Sequence, residues 1–112
     1  MVCSSKISLG VDIGGTGCKC VAFRDDGEQL ALAYEEYPLQ AGMVNLPPDI
    51  LETAVLRVIA ACTAKLENRE QITAITVSSF GESFVALDAD GRPLSDILLS
   101  LHIRPTNILL RK

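Results

Sequence analysis

Gly10-Val11-Asp12-Ile13-Gly14-Gly15-Thr16-Gly17-Cys18-Lys19 is the stretch on which the reading of this chain turns. A β-prone apolar run, residues 7–11, delivers one carboxylate, Asp12, into a turn of three glycines and a threonine. Residues 18–23 leave it, alternating in polarity as a strand does. The unit is strand, tight loop, strand. Glycine has no Cβ to block positive φ or the close approach of an anion, so Gly14, Gly15 and Gly17 are free to turn their N–H groups toward a common point. Thr16 adds a hydroxyl and Lys19 a cation, and Asp12, acceptor-only at neutral pH, suits Mg2+ held through its waters. This set points to phosphate or nucleotide binding. The competing reading is a β-hairpin whose glycines serve only the turn. The dinucleotide fingerprint and the P-loop are excluded, because each requires a helix directly after its glycines.

Outward from this stretch, 112 residues at 48% hydrophobic content bound the chain to one domain at most, with enough apolar material for a core. A net charge of -4 argues against nucleic acid or an anionic membrane as partner, since both reward clustered Lys and Arg. No apolar run approaches the ~20 residues needed to span a bilayer, and residues 1–6 do not read as a signal peptide, so a cytoplasmic location is expected. The four cysteines, Cys3, Cys18, Cys20 and Cys62, lack the paired C-x-x-C spacing of a zinc site. Cys18 and Cys20 share one face of a strand and read as small apolar core residues.

Taken in order, residues 6–12 form a first strand, nearly continuous in apolar character at Ile7, Leu9 and Val11 and so expected to be covered on both faces. Asp25-Asp26-Gly27 supplies a hairpin turn, and residues 29–37 alternate through Leu30, Leu32 and Tyr34 as a third strand. Residues 38–48 are a connection closed by Pro47-Pro48. A helix follows. Asp49 and Glu52 read as its capping box, and Leu51, Val55, Val58, Cys62 and Leu66 build an apolar stripe that Ile50, Ala54 and Ile59 widen. Residues 72–79 return as a strand with Ile72, Ala74, Ile75 and Val77 in the core, and the intervening helix predicts that it lies parallel to the first strand. Residues 83–87 read as a further short strand and residues 88–94 as a polar turn. The expected class is α/β in the order β-β-β-α-β. His102, the one histidine, has no accompanying nucleophile motif and takes no role.

Ser78-Ser79-Phe80-Gly81-Glu82-Ser83 ends the fourth strand, the edge at which open α/β sheets bind ligands. Parallel strands put Glu82 on the same rim as Asp12, and a carboxylate suits a polyol because its two oxygens accept from two neighbouring hydroxyls. Taken alone, Glu82 reads sooner as a solvated loop charge and Gly81 as a turn residue, and only the resemblance below turns the reading toward substrate contact.

The segment from Asp12 to Lys19 resembles the first phosphate-binding motif of the sugar kinases in the actin, Hsp70 and hexokinase superfamily. The surrounding chain is most similar to the N-terminus of the FGGY carbohydrate kinases. Gly14-Gly15-Thr16 stands where FGGY members more often carry Gly-Thr-Thr, and the double glycine keeps the glucokinase and ROK branch as an alternative. The resemblance implies an incomplete ribonuclease-H-like (actin-like ATPase) domain and transfer of phosphate from ATP to a sugar or polyol hydroxyl. It implies Asp12 as the Mg2+ residue, Gly14, Gly15, Thr16, Gly17 and Lys19 as phosphate contacts, and Phe80, Gly81 and Glu82 as substrate contacts. Phe80 stands where many members carry glutamine. Residues 85–94 also look like the family's hydrophobic strand and acidic turn.

By this resemblance the likeness runs from Ile7 to Leu99, so that residues 1–99 are a partial N-terminal kinase domain and residues 100–112 a tail unlike the family. The family's catalytic base and adenine-binding lobe lie downstream, and no catalytic residue is expected here. The chain is therefore expected to be an N-terminal fragment, through truncation or a shifted frame. It should be inactive without its C-terminal lobe and self-associate through the surface that lobe would cover. A non-catalytic nucleotide-binding module and a small structural domain are the readings outside enzymology.

Overall fold

Alternation of apolar and polar side chains makes three consecutive strands: β1 (Ile7–Ile13), β2 (Gly17–Arg24) and β3 (Gln29–Glu36). The structure is a computed structural model and describes residues 5–38, 45–81 and 83–98. Antiparallel pairing joins β1 to β2 and β2 to β3. The β2–β3 turn is the expected one: Gly27 adopts φ 93°, a value that suits glycine, and the Asp26 carboxylate accepts the Glu28 N–H at 2.9 Å. A two-residue strand, β4 (Asn45–Leu46), precedes the helix α1 (Pro48–Ala64). A 3-10 turn at Arg69–Gln71 then leads into β5 (Ile72–Ser79), which lies parallel to β1 as the crossover requires. The four-stranded sheet has the order β3-β2-β1-β5. The remaining strand, β6 (Ile97–Leu98), pairs with β4 in a separate two-stranded sheet that sequence reasoning did not foresee.

Four expectations are corrected. First, α1 carries no capping box: Pro47 is the N-cap without a side-chain bond, and Pro48, with its fixed φ, starts the helix. Asp49 acts through its charge in the first turn. Second, residues 83–87 form no strand. Only an isolated bridge, Leu87 to Pro93, is made there, because no other strand among the described residues offers that segment a ladder. The turn beyond it is as read, with the Asp88 carboxylate accepting the N–H groups of Asp90 and Arg92 and Gly91 at φ 81°.

Third, β1 is covered on one face only. Ile7, Leu9 and Val11 are buried while Ser8 and Asp12 are exposed. Fourth, β5 is not core. Ile75 and Val77 pair with Leu9 and Val11 on the helix-bearing face, yet they are 51% and 61% exposed. The reason is where α1 lies. It packs over β2 and β3 and barely reaches β1, leaving β5 open. Small residues permit that close seat: Cys18, Cys20 and Ala22 of β2 and Ala31 and Ala33 of β3 meet Ala54, Val58 and Cys62 of α1, all buried. Cys18, Cys20 and Cys62 are free thiols in this core, as expected, and burial pushes the Cys20 thiol up to about 12.

Side-chain ties hold α1 on the sheet at its edge strand. Arg57 forms a bidentate ion pair with Glu35, and its guanidinium holds the Glu35 carboxyl below the usual carboxylate range. Lys65, just past the helix, donates to the Leu32 carbonyl on the outer edge of β3.

Candidate functional site

Register assembles the site. Asp12 of β1 lies opposite Lys19 of β2 and beside Ser78 of β5, so the three side chains form one row across the helix-free face of the sheet. Ser78 Oγ donates to Asp12 Oδ1 at 3.2 Å. No ion pair links Asp12 to Lys19 among the described residues, and both are exposed. Below the row runs a shallow depression of about 440 Å³ whose walls include Val21, Phe23 and Thr76, with Gly10 beneath.

The glycine loop closes the top of β1 and β2. Gly14 donates its N–H to the Gly17 carbonyl at 2.8 Å, so that amide is consumed within the turn. This corrects part of the expectation that all three glycines present N–H groups. The Gly15 and Thr16 amides make no hydrogen bond to another described residue. Positive φ is not what Gly14 and Gly17 supply either; space is. A Cβ on Gly17 would sit 2.6 Å from the Glu35 carbonyl oxygen and 2.7 Å from the Tyr34 hydroxyl, and one on Gly14 would sit 3.0 Å from the Gly17 carbonyl. The loop is packed against β3 too closely for a side chain.

Two residues of the site escaped sequence reasoning. Ser78 stood in the quoted rim segment without a role of its own, and Tyr37 appeared only as the end of a strand. Tyr37 is buried, its hydroxyl donates to the Gly14 carbonyl at 2.8 Å, and its N–H donates to the Thr16 carbonyl at 2.9 Å. Burial pushes its hydroxyl up to about 12, with the nearby Cys18, Tyr34 and Asp12 adding to the shift. No local pattern announces either contact, since both cross between strands.

On the β5 side, the Phe80 N–H donates to the Ile13 carbonyl at 2.9 Å and carries the parallel register past the end of the strand. Phe80 itself is half-buried and packed on the core, while Gly81 is exposed. Glu82 lies outside the described residues. Among the described residues no group of three or more His, Cys, Asp or Glu could hold a metal ion. One carboxylate bonded to a hydroxyl and set opposite a lysine would suit a hydrated Mg2+ and not an ion ligated by protein groups alone.

An antiparallel hairpin with a glycine loop, crossed back by a helix to a parallel β5 that shares its rim, is the opening of an actin-like kinase domain. The model of the N-terminal domain of the FGGY family of carbohydrate kinases matches residues 7–110, and the chain belongs to this family. The match runs past Leu99, where the motif likeness read from the residues ends.

The gluconokinase of Bacillus subtilis (strain 168) is 31% identical over 90 residues, covering 78% of this chain and 17% of that protein. The gluconate kinase structure from Lactobacillus acidophilus superposes with a TM-score of 0.74 at 29% identity, covering 84% of this chain and 19% of that one. A xylulose kinase structure from Rhodospirillum rubrum gives a TM-score of 0.80 at 19% identity, a likeness of fold, over 94% of this chain and 22% of its own. The chain therefore spans between 17% and 22% of the length of these relatives. Among the described residues no helix is long and apolar enough to cross a membrane.

Proposed function

We propose that this chain is the N-terminal part of an ATP-dependent kinase that phosphorylates a hydroxyl of a sugar, a polyol or a sugar acid in the cytoplasm. The observation that carries the reading is the row Ser78, Asp12, Lys19 set directly beneath a glycine loop. In this reading Gly15, Thr16 and Gly17 offer backbone donors to phosphate oxygens, Gly14 shapes the turn, and Lys19 adds a positive charge. Asp12 would hold a hydrated Mg2+, and the chemistry such an ion supplies when bound is neutralisation of charge on the phosphates. Phe80, Gly81 and Glu82, which follow β5 in the chain, are the proposed substrate contacts. The catalytic base and the adenine-binding lobe belong to residues beyond these.

Gluconate heads the substrates to be tried, because a gluconokinase and a gluconate kinase are both near 30% identical to the chain. Xylulose completes the panel, since a xylulose kinase structure is also 29% identical to the chain. The test starts with translation of the encoding DNA past codon 112 in all three frames, followed by ADP-release assays of any protein so extended. Sugar-dependent ADP release that disappears in Glu82→Ala supports the reading. Binding of Mg2+-ATP with no sugar-dependent turnover leaves a nucleotide-binding module instead. The 112-residue chain alone should show no turnover, and measurable turnover by it would sink the assignment of the base to later residues.

A further inference from the structure

We propose that Tyr37 is a positioning residue for the glycine loop, setting the direction of the Gly15 and Gly17 N–H groups that meet a phosphate. The inference rests on the reading of residues 14–17 as a phosphate-binding loop and assigns the loop's geometry to a residue outside it.

In a trans peptide the C=O and the following N–H point in opposite directions, and no peptide bond among the described residues is cis. The Gly14 carbonyl is drawn to the Tyr37 hydroxyl, so the Gly15 N–H points away from the buried ring. The Thr16 carbonyl is drawn to the Tyr37 N–H, so the Gly17 N–H also points away from β3. One residue therefore grips two alternate carbonyls of the turn. Both gripped peptides present their N–H ends on the side away from Tyr37.

The consequence is a matter of sign. A peptide flip at Gly14-Gly15, which glycine permits more readily than any other residue, would exchange a donor for a carbonyl oxygen facing the anion. Attraction would become repulsion. Tyr37 opposes that flip with a hydroxyl that is desolvated, fully protonated at physiological pH and committed to one acceptor. Gly17 completes the device, because its missing Cβ lets the turn lie against Tyr34 and Glu35 and brings the Gly14 carbonyl within reach of the ring.

The test uses the 112-residue chain labelled with 15N and titrated with Mg2+-ATP. In the wild type the Gly15 and Gly17 amide resonances should shift on titration, while the Gly14 amide, already bonded to Gly17, should move least. This arm is independent of any variant; equal responses at Gly14 and Gly15 would overturn the proposal.

Tyr37→Phe keeps the ring and the backbone N–H but removes the hydroxyl. Its free-state spectrum should move the Gly15 amide and leave the Gly17 amide in place, a signature that general loosening would not give. The affinity for Mg2+-ATP should fall by about tenfold. A folded Tyr37→Phe chain that binds as well as the wild type would remove the clamp and leave the loop reading standing. Failure of a protein extended through the adenine-binding lobe to bind Mg2+-ATP at all would remove the loop reading, and the clamp's purpose with it.

Discussion

Ser78 Oγ donates to Asp12 Oδ1 at 3.2 Å, joining the C-terminal ends of two parallel strands whose residues stand 66 positions apart. The bond holds one carboxylate oxygen of a residue that is itself exposed. Asp12→Ala should leave the melting temperature nearly unchanged, because exposed substitutions typically fall within about 0.5 kcal/mol. It should weaken Mg2+-ATP binding by at least about tenfold. Ser78→Ala should cost less, since it frees the carboxylate to rotate without removing its charge. Calorimetric titration of the two variants checks the order; equal affinities for Asp12→Ala and wild type would end the assignment of Asp12.

Gly17 and Gly10 lie on the same hairpin and should respond differently to alanine. At Gly17 the new Cβ meets a backbone carbonyl at 2.6 Å, which cannot move without breaking the β2–β3 pairing. At Gly10 it meets nothing within 4 Å. Gly17→Ala is expected to destabilise the chain by about 1–3 kcal/mol, the range for overpacking. Gly10→Ala should be close to neutral in thermal melts, and a larger loss at Gly10 than at Gly17 would contradict this packing.

Alkaline pH should loosen the core through Cys20. Its thiol is raised from 9.0 to about 12 by burial, with the neighbouring Cys62 thiol adding to the shift. A folded-state value above the unfolded one means that the folded chain binds the proton more tightly. The associated stability is complete below pH 9 and is lost progressively as pH rises toward 12. Denaturant midpoints measured across that window should fall, and less steeply in Cys20→Ala. Below pH 9 the three described cysteines should resist iodoacetamide until the chain unfolds.

The open side of β5 should make the isolated chain associate with a second copy of itself. Residues 72–79 carry no charge and no proline, the two usual guards of an edge strand, and Ile75 and Val77 are exposed beside an edge that pairs with no other strand among the described residues. Ile75→Lys should shift the chain toward monomer in sedimentation velocity runs at raised concentration. A wild-type chain that stays monomeric there would count against the idea.

Much of this architecture was legible from local pattern. The strands at residues 7–13, 17–24, 29–36 and 72–79, the helix after Pro47 and the turns at residues 25–27 and 88–94 follow from periodicity and turn chemistry. The misreadings are equally specific. Ile75 and Val77 have the character of core residues, but character does not reveal which strands α1 will cover. The three glycines read as N–H donors, but Gly14 spends its N–H on Gly17 and Gly17 is required by a close approach to β3.

The amino-acid sequence by itself determined the family, the β-β-β-α-β order of the main elements and the presence of one carboxylate and one lysine around a glycine turn, because these are carried by local pattern and motif. Only the tertiary structure decided that Ser78 holds Asp12, that Tyr37 holds the Gly14 and Thr16 carbonyls, and that β5 stays uncovered. Those relations depend on the register between strands far apart in the chain and on where one helix comes to rest over small side chains, and both emerge only when the sheet is assembled.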